Sequence, residues 1–211
     1  MHRLQDTLEI DLVWQATDKL RVALAAAYLD GTYADFDTAA CTETQMAYFR
    51  AIDPTGAYSA ANISINDYGP NVTDPTGFCR IIWNGAGFYS TGNQNLTGRD
   101  LGTGNYNGSL NLDYTQPLSN GMTLYAGLDY NFFDDYITTG DLDPLDTQEA
   151  TARINARIGI TKGNFTALIY GRNLTDESHI TGHFDTPLLA GAHGNYLLET
   201  RVVGARLTYK F

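Results

Sequence analysis

The sequence predicts an all-β protein, namely a segment of an antiparallel up-and-down transmembrane β-barrel with about seven long strands. Apolar and polar residues alternate along seven segments, most of them 11 to 15 residues long, and short and long connections alternate between them. A soluble strand typically has about 5 to 6 residues, whereas a strand that crosses a bilayer has about 9 to 11. The segments are therefore long enough to cross a membrane at a tilt.

The seven segments share the two-residue period of a pleated strand. In the first five, apolar side chains occupy even positions, and in the last they occupy odd positions from Val203 to Phe211. The sixth segment has apolar residues in both phases, so its orientation stays open. The segments cover residues 7–16, 20–33, 106–116, 122–136, 149–161, 165–175 and 201–211.

The connections between these segments indicate which end of the sheet is which. Three are very short, with the sequences ATDK, PLSNG and TKGN, and three are long, covering residues 34–105, 136–147 and 176–199. In a meander this places every tight turn at one end, as in outer-membrane barrels with short periplasmic turns and long extracellular loops. Residues 34–105 are predicted to be a long extracellular loop, and their length and aromatic content make them the best candidate for ligand contact.

Aromatic residues form two groups, as expected for rings at the two membrane interfaces. One group lies beside the short turns or at the C-terminus, and the other lies toward the long loops. The first contains Trp14, Tyr114, Tyr209 and Phe211, and the second contains Tyr28, Tyr130 and Phe132.

Composition excludes several classes of protein. The net charge of -11 argues against a nucleic-acid binder, which needs a basic surface. No apolar run reaches the roughly 18 residues of a transmembrane helix, and residues 1–14 lack the features of a signal peptide.

No catalytic, cofactor-binding or metal-binding residue is predicted, and the protein is not expected to be an enzyme. His179 and His183 have a spacing that suits a metal only on a helix, and Gly182 between them favours a surface loop instead. The sequence DLDPLDTQE lacks the pattern of a calcium loop and is predicted to be a solvated acidic loop.

Two further sets of residues are predicted from position. Cys41 and Cys79 both lie in the long loop, and a disulfide between them would close a ring of about 39 residues, worth about 3 to 4 kcal/mol in the chain-entropy model. The alternative is a pair of free buried thiols. The candidates for the lumen wall and ligand contact are the polar-phase residues Asp129, Asn131, Arg153, Asn155 and Arg157.

Two motifs near the C-terminus resemble the end of a TonB-dependent outer-membrane receptor. GRNLTDESH at 171–179 contains the Asn-Leu-Thr-Asp element that commonly closes the penultimate strand of that family. The ending VVGARLTYKF is similar to the family's last strand, and the opening 31 residues from Asp6 are similar to its strand-turn-strand pairs. The resemblance implies a C-terminal insertion signal formed by Gly204, Leu207, Tyr209 and Phe211.

The resemblance also implies a function. Residues 1–211 would be part of a barrel of about 22 strands, and no plug domain, TonB box or signal peptide is found in the sequence. The chain is expected to be a fragment of a transporter in the bacterial outer membrane that takes up a siderophore, vitamin or glycan-like ligand, and not to transport alone. Its expected partners are outer-membrane lipid, the barrel-assembly machinery and a small-molecule or metal-chelate ligand. TonB is expected as a partner only through the missing N-terminal part. No cofactor and no nucleic acid are expected. The alternatives are a porin-like or structural outer-membrane barrel and a soluble secreted β-sandwich that binds a ligand.

Overall fold

The structure is a computed structural model that describes residues 2–42, 45, 79–83, 89–186 and 192–211. For His2 and for residues 79–83 and 89–92 it describes the backbone alone. A short 3-10 helix covers Pro144–Asp146. The strands are β1 (His2–Thr17), β2 (Leu20–Asp35), β3 (Ala39–Ala40), β4 (Cys79–Trp83), β5 (Tyr89–Gln94), β6 (Tyr106–Pro117), β7 (Thr123–Phe133), β8 (Tyr136–Ile137), β9 (Thr147–Gln148), β10 (Thr151–Lys162), β11 (Phe165–Arg172), β12 (Ile180–Asp185), β13 (His193–Leu197) and β14 (Val202–Tyr209).

Seven of these strands form one antiparallel sheet in the order β1-β2-β6-β7-β10-β11-β14. They correspond one to one to the seven predicted segments, and each pairs with its neighbour along the chain of segments. The meander and the all-β prediction are therefore confirmed. The edge strands β1 and β14 do not pair with each other, so the sheet is not a closed barrel, as predicted.

The register assigns every strand of the sheet to the same two faces. We call the even positions of β1, β2, β6, β7 and β10 and the odd positions of β11 and β14 the apolar face, and the opposite positions the polar face. Leu24 lies opposite Leu12 and Leu110, and the same phase continues to the other edge of the sheet. The register also shows which residues of the sixth segment, β11, lie on the apolar face, because Ile169 lies opposite Ile158 and Ala205 there.

The apolar face is at least partly exposed in every strand of the sheet. Leu8, Ile169 and Leu207 are 61%, 59% and 77% exposed, and nothing in the described part of the chain covers them. A continuous apolar surface of this size is unfavourable in water and suits contact with lipid. A β-sandwich requires a second sheet on this face, so the geometry does not fit the soluble alternative.

The aromatic residues of the apolar face gather at its two ends, as predicted. Beside the short turns, the Tyr209 ring lies 4.9 Å from Phe165 and 5.1 Å from Phe211, centroid to centroid. Toward the long connections, Phe132 lies 5.8 Å from Tyr130 and 6.3 Å from Tyr106. Rings at these positions are typical of the girdles that mark membrane interfaces.

Several strand ends differ from the predicted ones: the first strand begins at His2 rather than at residue 7, and two strands end early for a clear structural reason. β11 ends at Arg172 rather than at residue 175, because Asn173 adopts a positive φ of 49° that a strand cannot continue through. The strand predicted to run to residue 136 ends at Phe133, and Asp134 accepts a hydrogen bond from the amide of Asn105. Both ends are set by side-chain hydrogen bonds that the two-residue period does not reveal.

The long connections contain structure that the sequence pattern did not predict. β3, β5 and β4 form a three-stranded sheet, β8 pairs with β9, and β12 pairs with β13. A small core lies at this end and consists of Tyr33, Ala39, Leu96, Leu101 and Leu142. We call this end of the sheet the loop end. In the described residues, no helix is long and apolar enough to cross a membrane.

Candidate functional site

The charges on the polar face are divided between two halves of the sheet. In β1, β2, β6 and β7 the polar-face positions carry five carboxylates and two arginines. In β10, β11 and β14 they carry four arginines and no carboxylate. We call these four, Arg153, Arg157, Arg172 and Arg206, the basic half.

Arg157 joins the two halves. Its Nη2 lies 2.6 Å from Oδ1 of Asp113 and its Nη1 lies 2.7 Å from Oδ2 of Asp129. Arg21 approaches the other oxygen of Asp113 at 3.5 Å, which extends the network over four strands. Gly127 leaves the space for the guanidinium, because a Cβ at that position would lie 2.5 Å from Cζ of Arg157. Sequence alternation placed Asp113 on this face but could not show that it pairs with Arg157 across Gly127, which lies opposite both residues.

The remaining predicted lumen residues also lie on the polar face, with Asn131 opposite Arg153 and Asp129 opposite Asn155. Arg153 donates from Nη2 to the carbonyl of Glu199 at 3.1 Å, while its Nε is buried and has no partner in the described residues. Asn155 accepts a hydrogen bond from the amide of Asn173 and so supports the chain reversal after β11. Contact of these five residues with a ligand stays a prediction.

Asn173, the first residue of the Asn-Leu-Thr-Asp element, is fully buried and connects three parts of the chain. Its Nδ2 donates to the carbonyls of Glu177 and Glu199 at 2.9 and 3.3 Å, and its Oδ1 accepts from the amide of Glu177 at 3.0 Å. Asparagine tolerates the positive φ at this position better than most residues do. The element therefore joins the start of the connection after β11 to Glu199, which lies shortly before β14.

The neighbours of Asn173 in the element complete this turn. Leu174 packs over Gly171, where a Cβ would lie 2.5 Å from its Cδ2. Asp176 has a φ of 59° and forms an ion pair with Arg201 at 3.0 Å. The motif that carried the family resemblance thus has a structural role in this chain.

The predicted insertion signal lies on the last strand. Gly204 lies on the polar face beneath the Tyr170 ring, and a Cβ there would lie 2.6 Å from Cζ of that ring. Leu207 and Tyr209 lie on the apolar face, and Phe211 is fully exposed. Gly204 therefore has a packing role, and recognition of these residues during membrane insertion stays a prediction.

Three histidines attach the β12–β13 hairpin to the segment between β8 and β10. The Nδ1 of His179 lies 3.0 Å from Oγ1 of Thr151, and the Nδ1 of His183 lies 2.5 Å from Oγ1 of Thr138. The Nδ1 of His193 lies 2.7 Å from Oδ1 of Asp146. His179 is only 7% exposed, so the prediction of a surface loop at this position is wrong.

The acidic stretch between β8 and β10 is also not solvated, contrary to the prediction. Asp143 and Asp146 are fully buried. Asp143 caps the 3-10 helix by accepting from the amide of Leu145, and Asp146 accepts from Oγ1 of Thr139 at 2.9 Å. Burial of a carboxylate is tolerated where such donors are present, and the sequence alone did not show that Leu145 and Thr139 supply them.

The surroundings of His179 favour a neutral ring that carries its hydrogen on Nε2. Tyr136 donates its hydroxyl hydrogen to the carbonyl of Ile180 at 3.0 Å, so its oxygen accepts from the Nε2–H of His179 at 3.3 Å. The Nδ1 then accepts from Thr151. Burial lowers the pKa of His179 below its ordinary value, and the charge of Arg153 lowers it further.

We expect the attachment of the hairpin to weaken in mild acid. A lowered folded pKa means that the stabilisation is complete above the unfolded value of about 6.5 and is lost as the pH falls through that value toward the folded pKa. The protection factors of the β12 amides, which correct the measured hydrogen exchange for its intrinsic pH dependence, should therefore fall between about pH 7.5 and pH 5 in the wild type. In His179→Gln this fall should be smaller, and an identical pH dependence of the protection factors in both proteins would contradict the assignment.

The cysteines lie in the loop-end structure. Cys41 is buried and disulfide-bonded. Cys79 is the first residue of β4, and its side chain lies outside the described residues. The Cys41–Cys79 pair therefore stays a prediction, to be tested by mass mapping of the peptides with and without reduction.

No protein-family model and no curated protein sequence matches the chain. Among solved structures, the ferric yersiniabactin uptake receptor FyuA from Yersinia pestis is similar, with a TM-score of 0.56, 11% identity and coverage of 98% of this chain. The siderophore receptor PiuA from Acinetobacter baumannii is similar too, with a TM-score of 0.51, 16% identity and 98% coverage. This chain spans about a quarter of the length of each, namely 24% of FyuA and 22% of PiuA. The seven-stranded sheet with its loop end therefore has the fold of part of these receptors.

Proposed function

We propose that the chain forms part of the barrel of an outer-membrane receptor that takes up an anionic ferric chelate of the siderophore class. The exposed apolar face, with aromatic rings at both ends, would contact lipid, and the polar face would line the lumen. The fold shared with two siderophore receptors supports this arrangement. Uptake by the whole protein would also need the parts of a receptor that lie beyond these seven strands.

The basic half is the observation that carries the choice of ligand. Four guanidinium groups lie on the polar face of these three strands, and no carboxylate lies on that face of the same strands. Arg157 is paired with Asp113 and Asp129, and Arg172 with Glu199, so the positive charge of this region comes mainly from Arg153 and Arg206. Such a region attracts anions, and arginine matches the paired oxygens of carboxylate and catecholate groups. Arg206 has no ion pair in the described residues and is exposed, so it is available for a ligand.

The porin-like alternative differs in what the basic half would do. An open channel would show weak selectivity for small anions, without a saturable site for a large chelate. A receptor would bind one chelate with high affinity. Binding, rather than conductance, therefore distinguishes the two functions.

The test is equilibrium dialysis of the full chain in detergent micelles with radioactive iron. An anionic ferric tris-catecholate and ferric citrate should bind in a saturable manner, and a neutral ferric trihydroxamate should bind more weakly. Arg206→Gln should lower the affinity for the anionic chelates about tenfold, because one ionic contact is lost.

Lys19→Gln is the matched control. It removes one positive charge from the exposed turn between β1 and β2, away from the basic half, and should leave the affinity unchanged. Equal binding of the anionic and neutral chelates would contradict the proposal. Equal affinity of Arg206→Gln and the wild type would also contradict it.

A further inference from the structure

We propose that Asp146, Asp185 and His193 form a binding site for a divalent transition-metal cation, with Zn²⁺ as the natural probe. We call these three residues the His193 group. Their ligand atoms all lie within 4.8 Å of one another, and they come from two separate segments of the loop end. Asp185 and His193 are cross-strand neighbours in the β12–β13 hairpin, whereas Asp146 ends the 3-10 helix before β9.

The distances suit a metal with little movement of the side chains. The Nδ1 of His193 lies 2.7 Å from Oδ1 of Asp146 and 3.6 Å from Oδ1 of Asp185. Ligands at about 2.0 to 2.2 Å from a tetrahedral Zn²⁺ lie about 3.3 to 3.5 Å from one another. The observed values lie on either side of this separation, so a shift of less than about 1 Å in each side chain gives three ligands and leaves the fourth position for water.

The ligands are also held in place before any metal binds. The side chain of Asp146 is fully buried and that of His193 is 10% exposed. The second oxygen of Asp146 accepts from Oγ1 of Thr139, which orients the carboxylate as ligand-supporting hydrogen bonds do in metal sites. Asp185 is 47% exposed, which provides a path for a cation from solvent.

The imidazole of His193 offers one nitrogen to a metal. Its Nδ1 faces the two carboxylates, whereas its Nε2 is buried and has no hydrogen-bond partner in the described residues. A metal at Nδ1 would take the place of the hydrogen between the ring and Asp146, and its positive charge would interact with both carboxylates.

The chemistry of the three donors indicates the class of metal. One imidazole nitrogen and two carboxylate oxygens suit Zn²⁺ and neighbouring transition metals, while Ca²⁺ and Mg²⁺ prefer six or more oxygen ligands. Because the donors belong to two segments, the metal would fasten the β12–β13 hairpin to the stretch that precedes β10. The site is independent of the polar face and of the proposed chelate uptake.

The test measures Zn²⁺ binding to the full chain, without a polyhistidine tag, in detergent micelles. Isothermal titration and metal analysis after dialysis should give one Zn²⁺ per chain, and Ca²⁺ and Mg²⁺ should not compete. Asp185→Asn and His193→Gln should each weaken binding at least tenfold. Zn²⁺ should also slow hydrogen exchange of the β12 and β13 amides in the wild type and not in Asp185→Asn.

His183→Gln is the matched control, since His183 lies on the same hairpin but contacts Thr138 instead of the His193 group. Its Zn²⁺ affinity should equal that of the wild type. Because Asp185 is half exposed, Asp185→Asn should fold, and a circular dichroism spectrum checks this. Failure of Zn²⁺ to bind, or unchanged binding by the folded Asp185→Asn protein, would overturn the proposal.

Discussion

Asn173→Ala is expected to lower the free energy of unfolding by about 3 kcal/mol, a large effect for one small side chain. The change removes two donors and one acceptor from a fully buried position and leaves the carbonyls of Glu177 and Glu199 without these partners. Alanine also pays about 1 kcal/mol for the left-handed backbone at φ 49°. The measurement is the urea midpoint of the protein in lipid vesicles or detergent micelles, followed by tryptophan fluorescence.

Two variants separate the causes of this loss. Asn173→Gly removes the same hydrogen bonds without the backbone strain, so it should recover about 1 kcal/mol relative to alanine. Asn107→Ala changes an exposed asparagine on the polar face and should shift stability by less than about 0.5 kcal/mol. If Asn173→Ala were as stable as Asn107→Ala, the buried hydrogen bonds would not hold the turn.

Arg157→Met is expected to destabilise the sheet by about 2 kcal/mol. It keeps most of the aliphatic stem but leaves Asp113 and Asp129 without their shortest ionic contacts. The value lies below the 3 to 5 kcal/mol typical of a fully buried pair, because between about a quarter and two fifths of each side chain is exposed. The same urea unfolding measurement provides the value.

Removing the carboxylates as well tests the electrostatic origin of this effect. The triple variant Arg157→Met, Asp113→Asn, Asp129→Asn should recover at least half of the loss, since no unpaired charge remains. Gly127 leaves the space in which the guanidinium lies, and the triple variant keeps it. A triple variant less stable than Arg157→Met would mean that the two carboxylates stabilise the sheet without the arginine.

The predicted sheet and the observed sheet agree because strand alternation is a local property. The positions of Leu8, Leu24 and Leu110 on the apolar face each follow from the two-residue period of their own segment. A lipid-facing sheet also requires that all segments place their apolar residues on the same face. The alternation of short and long connections fixed the order of strands for the same reason, since each short turn joins two adjacent antiparallel strands. Even the polar-face position of Arg153 and Arg157 could be predicted.

The loop end could not be predicted in this way. Strands of two to six residues, such as Tyr136–Ile137 and Ile180–Asp185, are too short to show a period against the background of polar loops. The two histidines that were predicted to lie in a surface loop are instead paired with residues 28 and 45 positions away, His179 with Thr151 and His183 with Thr138. Those contacts depend on how two connections pack, which no single segment encodes.

By itself, the sequence determined the seven long strands, their order and, in six of them, the side of the sheet that each residue occupies, because the pleat makes these properties local. Only the tertiary structure decided the roles of individual polar side chains. It showed that Asn173 is buried and hydrogen-bonded to distant carbonyl groups, and that Arg157 of β10 forms an ion pair with Asp113 of β6. It also placed Asp146, Asp185 and His193 close together. Each of these depends on atoms that are distant in the chain and meet only when the strands and connections have packed.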